Sequence, residues 1–209
     1  MIPKFKVYLF DVDGTLVASA ADITGAVREA LAAEGVNGLD QKYLEGFIGF
    51  HLFDLFHQVL PHYTQEQNDA LLANYRRIYL AREHSSTRVY DGVPEMLARV
   101  GGLKSTATTK GSETTRNVLT QFGLIQYFDH VQGTDGFPSK PKPDVVLKSI
   151  EKFGVKPEEC LLVGDSGPDM AAGRAAGVKT CGVTYGYGNL EQMRAEQPDY
   201  WIDHPSQLS

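Results

Sequence analysis

Two aspartates two positions apart, Asp11 and Asp13, follow directly on an apolar run in the stretch LFDVDGTLV. A carboxylate can act as a nucleophile, carry a proton or ligate a hard cation. Asp-Gly-Thr by itself is equally well a turn, so the pair gains meaning from what else could join it. Hydroxyl and charged groups stand at the ends of other strand-like runs: Thr108 with Thr109, Lys140, and Asp165 with Asp169. Brought to one place, four carboxylates could not all stay ionised without a cation among them. A hard divalent ion such as Mg2+ answers that need with oxygen ligands.

Convergence requires strands that lie side by side and end at a common edge. Lys6 to Phe10 is a short, nearly continuous apolar run, as in a parallel strand buried on both faces. Further strand-like runs are Lys104 to Thr109, Asp129 to Gly133, Cys160 to Gly164, Lys179 to Val183 and Tyr200 to Ile202. Helical stretches alternate with them: Val93 to Val100, Ser112 to Phe122, Pro143 to Phe153 and Pro168 to Ala176, with proline near a start or glycine just past an end. This α/β texture predicts a Rossmann-like parallel sheet with helices on both faces, where functional groups collect at the carboxyl edge.

The first strand is separated from the rest by about 70 residues of different texture. Ile23, Val27, Ala30 and Leu31 recur at helical spacing, Phe47 to Leu60 is apolar-periodic up to Pro61, and Thr64 to Gln67 reads as a capping box before a Leu71, Leu72, Tyr75, Ile78, Tyr79 stripe. The economical division is an α/β core, residues 1–17 and 88–209, interrupted by an α-helical insert, residues 18–87.

Composition removes whole classes of function. The 209 residues, 42% apolar, suffice for a sizeable core. A net charge of −6, from 20 basic and 26 acidic residues, disfavours nucleic acid or an anionic membrane surface as partner. Two cysteines without CxxC spacing argue against a disulfide framework and a thiolate zinc site. With no signal-peptide pattern and no long apolar span, a cytoplasmic location is expected. Nucleotide loops fail as well: GxxxxGK[ST] is missing, and GYGNLE at 186–191 lacks the third glycine of a dinucleotide fingerprint. His51, His57, His62, His84, His130 and His204 show no metal-binding pairing and read as structural or surface groups.

The four motifs DVDGTL (11–16), TTK (108–110), KPKP (140–143) and GDSGPD (164–169) occur in the order that marks the haloacid dehalogenase superfamily, which the chain resembles over its whole core. The helical insert occupies the position of that family's small cap, and the phosphoglycolate phosphatase-like and β-phosphoglucomutase-like members are the most similar in style. The resemblance implies that Asp11 is the nucleophile, forming an aspartyl-phosphate, and that Asp13 protonates the leaving alcohol and then helps deprotonate water. It implies phosphate binding by Thr108 and Lys140, with Lys142 a rival for the latter. Thr109 is either a second phosphate contact or a residue leading into a helix, and Lys110 is expected at the rim. Mg2+ would be held by the Asp11 carboxylate, the Asp13 carbonyl, Asp165, and Asp169 directly or through water.

The same resemblance ranks the rival activities. Asp13 argues for phosphate esters over dehalogenation or phosphonate cleavage. The insert shows no arginine between Glu45 and Asn74, where a mutase would hold a second phosphate, so a phosphatase of small phosphate monoesters is expected ahead of a β-phosphoglucomutase-type phosphomutase. 2-Phosphoglycolate is a candidate substrate, a non-catalytic binding module comes last, and no obligate protein partner is inferred.

Overall fold

In the computed structural model, which describes residues 2–209, the core is a five-stranded sheet in the order β4-β1-β5-β6-β7, every pairing parallel. The strands are β1 Val7–Phe10, β4 Leu103–Thr106, β5 Cys160–Gly164, β6 Lys179–Val183 and β7 Tyr200–Ile202. Alternation along β1 sends side chains to opposite faces. Tyr8 and Phe10 join one apolar cluster with helices α5 (Val93–Arg99) and α6 (Ser112–Gln121), and Val7 and Leu9 join another with α7 (Asp144–Glu151) and α8 (Gly167–Ala176). With helices on both faces, all four β1 residues are fully buried, which is why this strand reads as continuously apolar.

One expected core strand is not formed. Residues 129–133 make only an isolated bridge between Ser105 and His130. Next to it, the Thr106 hydroxyl accepts from the Gln132 amide at 2.8 Å and donates to the Gln132 carbonyl at 2.9 Å. A side chain thus takes the place of a backbone ladder, and the segment lies along β4 without extending the sheet. β4 itself stops at Thr106, three residues earlier than the apolar pattern suggests, although the Ala107 amide still donates to the Phe10 carbonyl at 2.8 Å.

The insert is helical: α1 Ala20–Ala33, α2 Gln41–Glu45, α3 Leu52–Val59 and α4 Gln65–Ala81. Its apolar faces form a separate cluster, including Leu31, Leu55, Phe56 and Leu71, and the Thr64–Gln67 capping box opens α4 as expected. The segment 47–51 is a turn and not the start of a helix, and the short α2 ahead of it was not foreseen. Chain entry and exit are paired as an antiparallel two-stranded ribbon, β2 (Val17–Ala18) with β3 (Arg88–Val89). Buried Asp22 at the start of α1 ties the same junction, accepting from the Ser86 amide at 3.0 Å and the Thr87 hydroxyl at 2.7 Å. Among the described residues no helix is long and apolar enough to cross a membrane.

Candidate active site

The carboxyl ends of β1, β4 and β5 meet because the ladder continues past them: the Asp11 amide donates to the Val163 carbonyl at 2.9 Å. Asp11 follows β1, Asp165 follows β5, and Asp169 sits in the first turn of α8. One carboxylate oxygen from each lies within 4.8 Å of the others, and all three residues are buried. Lys140 reaches the cluster from the loop after 129–133, its Nζ 2.8 Å from Asp11 Oδ1 and 3.0 Å from the Ala107 carbonyl, and paired with Asp169. Its rival Lys142 is exposed.

The carboxylates are held in different ways. Asp169 Oδ2 accepts from the Ser166 amide at 3.0 Å in a capping box, so the first-turn charge at α8 is also a partner of Lys140. Asp165 Oδ2 accepts from the Tyr187 amide at 2.8 Å and the Gly188 amide at 3.3 Å, and its Oδ1 accepts from the Thr15 hydroxyl at 3.3 Å. Asp11 Oδ2 is buried and has no hydrogen-bond partner among the described residues.

Burial, reinforced by neighbouring carboxylates, pushes Asp11 up to about 6 and Asp165 well above the usual carboxylate range. Burial also opposes the Lys140 charge, but Asp11 and Asp169 outweigh it and hold the amine above its ordinary value. Three carboxylates around one ammonium leave two negative charges, the complement of a divalent cation, with Asp11 Oδ2 as a free ligand atom. The donor set is all oxygen and suits a hard ion.

Asp13 departs from the expected cluster. Its carboxylate turns away, accepting from the Ser19 hydroxyl at 2.6 Å on Oδ1 and facing Lys110 Nζ at 3.2 Å on Oδ2, so three side-chain carboxylates converge and not four. Lys110 is not at the rim. It is nearly buried between core and insert, bonded to the Tyr79 hydroxyl at 2.9 Å and lying 4.2 Å from that ring's centre. Thr108 is buried at the strand end, its Oγ1 accepting from the Lys110 amide at 3.4 Å. Thr109 is half-buried, lines a cavity beside Asp13, and stands ahead of the Gly111 cap of α6, outside that helix.

Sequence reasoning missed Ser19, Tyr79 and the loop 186–188. It reads His51 as a structural or surface group and gives Arg76 no role, yet both line the cavity from the insert. The loop's glycines carried a usable signal: a Cβ on Gly188 would lie 1.7 Å from the Asp165 carbonyl oxygen, so only a bare backbone can approach that closely.

Known proteins resemble this chain in sequence and in fold. Residues 8–183 match the family model described as haloacid dehalogenase-like hydrolase. A phosphoglycolate phosphatase of Vibrio vulnificus is 33% identical over 98% of this chain and 95% of its own. A 5'-nucleotidase of Pseudomonas aeruginosa is 31% identical over 95% and 91%. The crystal structure of a predicted phosphatase from Clostridium acetobutylicum superposes with a TM-score of 0.91 at 27% identity, covering 99% of this chain and 97% of that one.

Proposed function

Because the chain belongs to the haloacid dehalogenase-like hydrolases, we propose that it is a Mg2+-dependent phosphatase that cleaves small-molecule phosphate monoesters through an aspartyl-phosphate on Asp11. The observation that carries this reading is the asymmetry of Asp11: Lys140 fixes Oδ1, while Oδ2 is buried without a partner. A carboxylate so placed keeps Oδ2 open to a cation while the whole group is oriented and poorly solvated, as a nucleophile needs to be.

Asp11 attacks phosphorus while the ester oxygen departs with a proton from Asp13. A water deprotonated by Asp13 then attacks the same phosphorus, releasing phosphate and restoring Asp11. Ser19 and Lys110 orient Asp13 for both steps. Lys140 neutralises charge on Asp11 and on the transferring group, and Thr108 and Thr109 bind phosphoryl oxygens. A cation held by Asp11, Asp165, Asp169 and the Asp13 carbonyl would add positive charge to the phosphoryl oxygens.

In this reading residues 18–87 form the cap that covers the site, and residues 1–17 with 88–209 form the catalytic core. The free, buried Cys160 and Cys181 suit a reducing cytoplasm. The relatives named as phosphoglycolate phosphatase and 5'-nucleotidase make both small acids and nucleosides worth assaying as leaving groups.

Purified protein with Mg2+ is expected to release phosphate from p-nitrophenyl phosphate. Asp11→Asn should abolish release with a melting temperature in chelator that is unchanged or higher, and excess chelator should abolish release by the wild-type chain. Full activity in Asp11→Asn would overturn the nucleophile assignment. A phosphomutase is favoured by one observation, the cation Arg76 lining the cavity from the cap. Interconversion of hexose 1- and 6-phosphates outrunning phosphate release, in the presence of a bisphosphate primer, would select it.

A further inference from the structure

Beside Asp13 lies a half-open cavity of about 550 Å³ between cap and core. A leaving group protonated by Asp13 must occupy it, so its size and lining bear on the substrate. The cap is already seated in this arrangement. Lys110 of the core bonds Tyr79 of the cap, and the cap turn 47–51 rests on the site, a Cβ on Gly49 meeting Ser166 Oγ at 2.9 Å. The volume is therefore what remains with the cap in contact with the core.

A two-carbon acid fills on the order of 100–150 Å³ if each heavy atom takes about the 30 Å³ of a liquid water molecule. The cavity is several times larger and falls in the range of about 300–1,000 Å³ that accepts drug-sized ligands. Its cap wall carries Phe47, Ile48, Phe50 and Leu72 alongside the polar His51 and Arg76. Half-buried Phe47 and Phe50 meet edge to face at 6.4 Å and offer ring surface to the space, while Tyr75 and Tyr79 are buried behind them, stacked on each other at 5.8 Å with Lys110 over the Tyr79 ring. A small hydrophilic acid would leave most of that surface in contact with water. A planar, partly apolar ring would cover it and stack on it.

We infer that the preferred leaving group is a ring-bearing alcohol of nucleoside size, so that nucleoside 5'-monophosphates are better substrates than 2-phosphoglycolate. This rests on the phosphatase reading above. It also places selectivity in the cap turn 47–51 and in α4, apart from the residues that handle phosphorus.

The test measures kcat/KM for adenosine and uridine 5'-monophosphates, 2-phosphoglycolate and p-nitrophenyl phosphate with Mg2+. The nucleotides are expected to exceed 2-phosphoglycolate by about tenfold or more. Leu72→Trp, which fills the cavity, should lower that ratio by about tenfold. Phe50→Ala, which removes a stacking ring and keeps the test open should Leu72→Trp misfold, should raise KM for the nucleotides more than for 2-phosphoglycolate. A wild-type preference for 2-phosphoglycolate overturns the inference and leaves the phosphatase reading standing, as does a ratio that neither variant moves. No phosphate release from any of the four esters overturns both.

Discussion

Asp11 and Asp13 share a sequence motif and differ in surroundings. Asp11 is buried among Lys140, Asp165 and Asp169, whereas Asp13 faces Ser19 and Lys110 at the foot of the cap. The separation suits a nucleophile that must stay aimed and a proton carrier that must meet the leaving group. Lys140 is the residue on which the first arrangement depends, since it offsets two buried carboxylates. Lys140→Met leaves Asp11 and Asp169 without their cation, and breaking a buried pair in this way costs about 3–5 kcal/mol. Thermal denaturation in chelator should register that loss, and excess Mg2+ should recover part of it. Phosphate release should stay depressed by about 100-fold or more even with Mg2+, because a positioned charge on the transferring group is gone.

At the scale of elements, the loop after β6 reaches back over β1 and β5. The Tyr187 and Gly188 amides hold Asp165, the Tyr187 hydroxyl accepts from the Ala20 amide at the start of α1, and the Tyr185 hydroxyl donates to the Thr15 carbonyl at 3.1 Å. One short loop thus fixes a metal-ligand candidate and touches the base of the cap. Gly188→Ala would push this loop off Asp165, and overpacking of this kind costs about 1–3 kcal/mol. The expected signature is a rise of about tenfold or more in the Mg2+ concentration for half-maximal activity, with only a modest fall in melting temperature.

Little of that loop was legible in the sequence, for a physical reason. Asp11, Asp165 and Lys140 announce themselves because each stands at the end of an apolar run or in a proline-flanked loop, which are local signals. Ser19, Lys110 and Tyr79 gain their roles from contact of cap with core, Gly188 gains its role from a core loop folding back on Asp165, and the Tyr79–Lys110 bond joins residues of which one looks like ordinary helix stripe. Likewise β5, β6 and β7 match their expected bounds because burial on the sheet makes their pattern. The segment 129–133 misleads because Thr106 imitates a strand partner through its side chain.

Across the whole molecule, the site couples folding to pH and metal. Asp11 has a folded value of about 6 against an ordinary 3.8, so the metal-free fold binds its proton more tightly than the unfolded chain does. Such a group lends stability at low pH that is lost as pH rises from about 4 through 6. Burial of His51 and His84 lowers their values, which works the other way and takes stability away as pH falls below about 6.5. The raw melting curve therefore mixes opposing trends. The difference between melting temperatures in Mg2+ and in chelator cancels groups away from the cation and isolates the carboxylates. That difference should be small near pH 4.5 and grow through pH 6 as Asp11 ionises, because only the deprotonated site binds the ion. In Asp11→Asn the difference should be smaller throughout. Its rise near pH 6 should also be blunted, leaving whatever Asp165 contributes. A Mg2+ effect that is flat between pH 4.5 and 7.5 in the wild-type chain would remove the buried carboxylates as the place where the cation acts.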